Sequence, residues 1–252
     1  MGAFAIPPTF VVLFLAALWA GVQNALAGGG AFITLPSLML TGMDARAANM
    51  TSTIAMFPAQ LAIGWTGRQD VSGASGLSFR ALLIISVIGG AIGAVLLLVT
   101  SAAFFARLVP WLVLFATVVF AWGSFVPRHP SAARLERRTA IALQFAIAVY
   151  GGYFGGGIGF LMLAVLAAAK VALRNAAATK NVLTGTTNAA AVVIFAFSPE
   201  IRWRAAIVAC GGAVVGGIAG AHLLRRVSER ALRIFVVLIG IALSIGLFLR
   251  TP

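Results

Sequence analysis

The chain has 252 residues, 62% of them hydrophobic and 9% charged, with a mean hydropathy of +1.07. A soluble domain carries about 25% charged residues, so this composition excludes a water-covered globule. The formal net charge of +13 reads as membrane topology signals and anionic-lipid contacts, not as nucleic-acid binding, because basic and aromatic residues are not interleaved as a single-stranded nucleic acid requires.

Long apolar runs without strand-like alternation predict an all-α fold, a polytopic bundle of membrane helices. The first run, 5–43, contains ALAGGGAFITLPSLML (25–40), where three glycines break the helix pattern. Ala25-Leu26-Ala27 has the form of a signal-peptide cleavage site, but no Lys or Arg precedes it, so the segment is expected to be retained. Runs 47–67, 81–106 and 108–127 follow, with the Gly/Ser-rich turn RQDVSGASGLSFR (68–80) among them. RHPSAARLERR (128–138) is a basic hinge, expected on the cytoplasmic side. Run 139–169 holds a second break, FGGGIGFLMLAVLAAA (154–169). Runs 176–199, 205–224 and 234–249 complete the chain, the last two separated by the basic joint RRVSERALR (225–233).

The halves match. GGG at 28–30 recurs at 155–157, and GGAIGA at 89–94 recurs as GGIAGA at 216–221, both 127 residues on. ARAANMTST (45–53) resembles RNAAATKNV (174–182) at a slightly larger offset. We read two four-segment repeats, 1–127 and 139–252, each with a Gly-broken first segment, joined by the hinge 128–138. Charge tests their orientation. Eight single crossings would divide the Lys and Arg residues eight against nine. If the first segment of each half enters and returns at its glycines, the division becomes twelve against five. The positive-inside rule prefers the second arrangement, with inverted repeats. Two short crossings in each broken run give the same parity.

A helix that starts inside the membrane presents unpaired N–H groups with partial positive charge, an anion site by construction. Breaks at Gly29, Gly30, Ala31, Phe32 and at Gly156, Gly157, Ile158, Gly159 would aim such donors at one spot near the midplane. The plainer reading of each GGG is tight helix packing. Lys180 lies about one turn inside the sixth run. An intramembrane cation is costly and marks function, and the bland alternative is a lysine that snorkels to the interface. Thr179, Asn181, Thr184, Thr186, Thr187 and Asn188 surround it, with Asn49, Thr51, Ser52 and Thr53 at the matching place in the first half. Such hydroxyls often bond only to their own helix. The acidic residues Asp44, Asp70, Glu136, Glu200 and Glu229 all lie outside the runs. The chemistry therefore favours an anion. Asp44 and Arg46 read as a solvated turn, with an ion pair or gate as the alternative. Gln23 and Asn24 would line the first break or bond between helices. Cys210 reads as apolar packing, and one cysteine with two histidines has no metal-site spacing, so no metal or cofactor is expected. No catalytic constellation and no nucleotide motif appear, so an enzyme is not expected.

The duplicated motifs GGGAFITLPSLMLTGMDARAANMTST (28–53) and GGGIGFLMLAVLAAAKVALRNAAATKNVLTG (155–185) resemble those of the sulfite exporter TauE/SafE family, also called the toluenesulfonate uptake permeases. The second half carries AVLAAAK where Pro36 falls in the first. The resemblance covers essentially the whole chain. It implies a multi-pass permease of a bacterial inner membrane that moves sulfite, organosulfonates or similar anions. The combined expectation is a secondary transporter for a small sulfur-containing or organic anion, working outward. Backbone amides would hold the anion, Lys180 would neutralise it, and Thr51, Ser52, Thr186 and Asn188 would complete its hydrogen bonds. The alternatives are an anion channel and a non-transporting membrane assembly partner. Expected partners are the small anion and the lipid bilayer, with a homo-oligomer left open.

Overall fold

A computed structural model describes residues 7–26, 29–66, 68–125, 135–223 and 229–250. Among them the chain is helical: α1 Pro8–Leu26, α2 Ala31–Leu40, α3 Ala45–Thr66, α4 Phe79–Val99, α5 Ala102–Phe125, α6 Arg137–Tyr153, α7 Ile158–Ala168, α8 Leu173–Phe195, α9 Trp203–Leu223 and α10 Glu229–Arg250. Each half reads long, short, long, long, long. The runs with glycine breaks each divide into a long helix and a short one, of 10 residues in α2 and 11 in α7. Pro36, inside α2, has no counterpart in α7, yet the two short helices have nearly the same length.

α1, α4, α5 and α9 contain stretches long and apolar enough to cross a bilayer: Pro8–Ala25, Phe79–Val99, Ala102–Trp122 and Trp203–Gly220. α3 and α8 are as long, at 22 and 23 residues, but carry many hydroxyl and amide side chains, among them Asn49, Thr51, Ser52, Thr53, Thr179, Thr187 and Asn188. They avoid lipid by packing on each other, α3 also on α2, α5 and α9, and α8 also on α4, α6 and α7. Large apolar side chains of α4, α5, α9 and α10 face outward, as a lipid-facing surface requires.

Side-chain contacts fix the helix directions. Arg46, at the start of α3, pairs with Glu200 in the α8–α9 link and donates to the carbonyls of Leu98 and Thr100, where α4 gives way to α5. At the other end Arg174, at the start of α8, pairs with Asp70 beyond α3, at 2.9 Å. α3 and α8 are therefore antiparallel. α4 runs toward the Arg46 end and α6 runs beside it in the same direction: Gln144 donates to Ser86 at 2.9 Å, and Gly93 faces Val149 and Tyr153. α9 runs the other way with α1 parallel to it, Phe14 on Gly212, Leu18 on Gly216 and Val22 on Gly220. So α1 enters from the Arg46 end and α6 from the Arg174 end, and α2 and α7 each lead back to the end from which their partner came. Each glycine break is the tip of a helical hairpin.

The halves interleave. α1 of the first packs on α9 of the second, and α6 of the second packs on α4 of the first. The glycine motifs 89–94 and 216–221 sit at these contacts. A Cβ at Gly93 would run into Val149 O, one at Gly216 into Leu18 O, and one at Gly89 would come within 2.6 Å of Ala148 Cβ. Lipid gives helices no hydrophobic reason to associate, so close backbone approach through small residues has to supply the attraction.

Asp44 is exposed after a turn, as expected, but Arg46 follows the alternative and is paired. Asp44 Oδ1 accepts the N–H groups of Arg46 and Ala47, both at 3.0 Å, and so caps α3. Arg46 retains only 17% of its side-chain exposure because Glu200 and two carbonyls enclose its guanidinium.

Candidate functional site

Both short helices start from glycines in conformations that side chains resist. Gly29 has φ +79°, and Gly155 and Gly157 have φ +75° and +78°, a region where only glycine lacks a Cβ penalty. The turns consume part of the donor set at once. Phe32 N–H bonds to Gly29 O at 2.9 Å, Ile33 N–H to Gly30 O at 3.0 Å, and Phe160 N–H to Gly157 O at 3.0 Å. The N–H groups of Gly30, Ala31, Ile158 and Gly159 make no backbone hydrogen bond among the described residues. The free donors are therefore fewer than two full four-residue sets.

Each short helix sends an aromatic ring across to the opposite break. The Phe32 ring lies 3.2 Å from where a Cβ on Gly156 would sit, and the Phe160 ring 3.1 Å from the same place on Gly29. Phe160 also stacks on Phe120, with ring centroids 3.8 Å apart. The rings hold the two tips side by side.

A cavity of about 40 Å³ opens beside the tips. Gly29, Gly30 and Ala31 line it from the first break, with Asn24 of α1. Gly155, Gly157, Ile158 and Gly159 line it from the second. Gln60 and Ile63 of α3 and Lys180, Asn181 and Thr184 of α8 close the wall. Lys180 is the only charged residue in that lining. Its stem passes over Gly159, where a Cβ would meet Lys180 Cδ at 3.5 Å and Nζ at 3.9 Å. Among the described residues Lys180 has no ion pair and no hydrogen bond. The carboxylates of Asp44, Asp70 and Glu200 are engaged at the ends of the bundle. Among the described residues, the cavity thus joins helix-start N–H groups to one unneutralised cation, with no carboxylate in its wall.

The other residues singled out in the sequence lie outside that lining. Gly156 turns its carbonyl to Tyr150 Oη at 2.8 Å, and Phe32 is a packing ring. Thr51 is fully buried, and its Oγ1 has no partner among the described residues. Ser52 Oγ bonds Thr34 Oγ1. Thr186 donates to Val182 O in its own helix at 2.8 Å. Asn188 reaches the cavity only through Gln60, to which its Nδ2 donates at 2.6 Å. Sequence reasoning passed over Gln60, a lone amide late in an apolar run. The available signal was its spacing: Gln60 and Asn188 are 128 residues apart, as are Arg46 and Arg174.

The chain is similar over nearly its whole length to known membrane transporter proteins. The family model for Sulfite exporter TauE/SafE matches residues 13–247. A "Probable membrane transporter protein" of Haemophilus influenzae is 28% identical over 251 residues, 92% of each chain. The "Probable membrane transporter protein YfcA" of Escherichia coli K12 is 27% identical over 92% of this chain and 87% of its own. The "Probable membrane transporter protein ORF9" of a Sinorhizobium species is 25% identical over 93% and 90%. No solved structure matches the chain.

Proposed function

We propose that this chain, which belongs to the sulfite exporter TauE/SafE family and is a multi-pass membrane transporter, carries a small sulfur oxyanion, sulfite foremost, outward across a bacterial inner membrane. The observation that carries the reading is the meeting of both glycine breaks and a Lys180 unpaired among the described residues, in one cavity whose described lining has no carboxylate. An oxyanion placed there accepts N–H bonds from the helix starts and an ion pair from the ammonium.

Size admits the proposed cargo. One water needs roughly 10–15 Å³ of such volume, so about 40 Å³ holds a few water-sized groups. That is enough for sulfite.

Orientation follows from charge. Arg68, Arg80, Arg137, Arg138, Lys170 and Arg174 gather toward one end, against Arg46, Arg107, Arg202 and Arg204 toward the other. The positive-inside rule makes the first end cytoplasmic. Gln60 and Ile63 are in the last two turns of α3, and Lys180 is in the second turn of α8, so the cavity lies nearer that end. Repeats 1–127 and 139–252, read as inverted, would rock about the α3–α8 contact to expose the site to each side in turn. An inside-negative potential drives an anion outward by about 2.3 kcal/mol per charge per 100 mV, so export needs no coupled ion.

The test is sulfite flux in proteoliposomes under an imposed potential, with sulfate, sulfoacetate and toluenesulfonate as competitors. Saturable sulfite flux supports the proposal, and the competitors rank the cargo. Flux that does not saturate makes the protein a channel, and none for any sulfur anion removes the cargo assignment.

A further inference from the structure

We infer that Gln60 makes the cavity select oxyanions, and that Asn188 is the positioning residue that turns the Gln60 amide to do so. This rests on the anion-site reading above and extends it to a residue that hydrogen-bonds the cargo. Gln60 lines the cavity with Lys180. Its Oε1 is already occupied, because Asn188 Nδ2 donates to it at 2.6 Å. Its Nε2, with two N–H groups, makes no hydrogen bond among the described residues. An amide whose oxygen is bonded from behind offers only donors in front.

The direction of that bond matters. If Asn188 presented its oxygen instead, it would take the Gln60 N–H and leave Gln60 Oε1 facing the cargo, which an anion would not tolerate. Asn188 is 2% exposed, stands outside the cavity lining, and its Oδ1 has no partner among the described residues. Its only side-chain hydrogen bond among them is the one to Gln60. The two residues occupy corresponding positions, 128 apart, and meet where α3 packs on α8. Of this pair only Gln60 lines the cavity, beside the amides of Asn24 and Asn181.

Lys180 attracts any small anion. The directed N–H groups of Gln60 favour one whose several oxygens accept at fixed angles, such as sulfite, over a spherical halide.

The experiment is concentration-dependent sulfite flux by the full chain in proteoliposomes, with chloride as competitor. In Gln60→Leu the KM for sulfite should rise about tenfold while kcat stays within about twofold, and chloride should become a better competitor. Asn188→Ala, which removes the donor that holds Gln60 Oε1, should raise KM in the same way by freeing the Gln60 amide to turn over. A purely structural role would lower the melting temperature and leave KM and the chloride competition unchanged. That result in a folded Gln60→Leu, or in Gln60→Met should the leucine variant fail to reach the membrane, overturns the inference alone. Wild-type protein that moves no sulfite overturns the cargo assignment, and the inference with it.

Discussion

α3 and α8 hold corresponding places in the two halves, yet one wall of the bundle is neutral and the other charged. Ser52 and Lys180 are 128 residues apart, and so are Thr53 and Asn181. On α3, Ser52 is 2% exposed and bonded to Thr34. On α8, Lys180 is partly exposed, unpaired among the described residues, and lines the cavity. The two halves supply two helix starts and two walls, but the cation is placed once. A two-fold frame with a cation on each wall would hold two anions or repel one of its own lysines. With one cation, both breaks converge on a single charge.

The largest expected effect comes from removing that asymmetry. Lys180→Ala should reduce sulfite flux by on the order of 100-fold, the scale of a lost charge-assisted bond. The same variant should melt no lower than the parent, because an unpaired ion inside a bundle costs stability. Flux and thermal unfolding on one preparation check both. A large fall in melting temperature would make Lys180 a structural residue.

The two breaks should also differ in tolerance. A Cβ on Gly157 would come within 2.6 Å of Ala116 Cβ, in a backbone at φ +78°. Gly157→Ala should cost about 2–3 kcal/mol, strain and overpacking together. At Gly29 the obstacle is the Phe160 ring at 3.1 Å, which can shift, so Gly29→Ala should cost about 1–2 kcal/mol. Unfolding in detergent measures the difference, and equal costs would show that the rings, not the backbone, set the tips.

The ion pairs compare the two ends. The Arg46–Glu200 side chains are 17% and 32% exposed, and Arg174–Asp70 82% and 36%. Glu200→Gln should destabilise by about 1–2 kcal/mol, because it leaves Arg46 enclosed with less to neutralise it. Asp70→Asn should cost under about 1 kcal/mol, the range of exposed pairs. The reverse order would mean that the Arg174 end is the closed one.

The smallest effect belongs to the neutral wall. Ser52→Ala should cost about 1 kcal/mol for its bond to Thr34 and leave sulfite flux within about threefold. Loss as large as in Lys180→Ala would put the cargo on α3 and erase the contrast between the walls.

The sequence made the hairpins legible because glycine clusters interrupting an apolar run are local signals, and Lys180 legible because a charge inside such a run is rare. The polar residues around them were harder to sort. Thr51, Ser52, Thr186 and Asn188 share composition and helix with cavity residues, but a helix turns 100° per residue, and composition does not say which face meets the break. Thr186 spends its hydroxyl on Val182 O, whereas Thr184, two residues earlier, lines the cavity. Gln60 was hidden for another reason. Its significance depends on Asn188 and on a helix packing that no local pattern encodes. Arg46 was misjudged similarly, since its partner Glu200 is 154 residues away.

The central claim is that Lys180 and the two glycine tips form one anion site, and the most direct test is sulfite binding to purified protein. A ligand that binds only the folded state raises the apparent melting temperature with concentration, by about 2.7 kcal/mol of stabilisation at 100 times its Kd. The account predicts a saturable rise with sulfite in the parent and none in a folded Lys180→Ala. An equal rise in both proteins, or none in the parent, would contradict it.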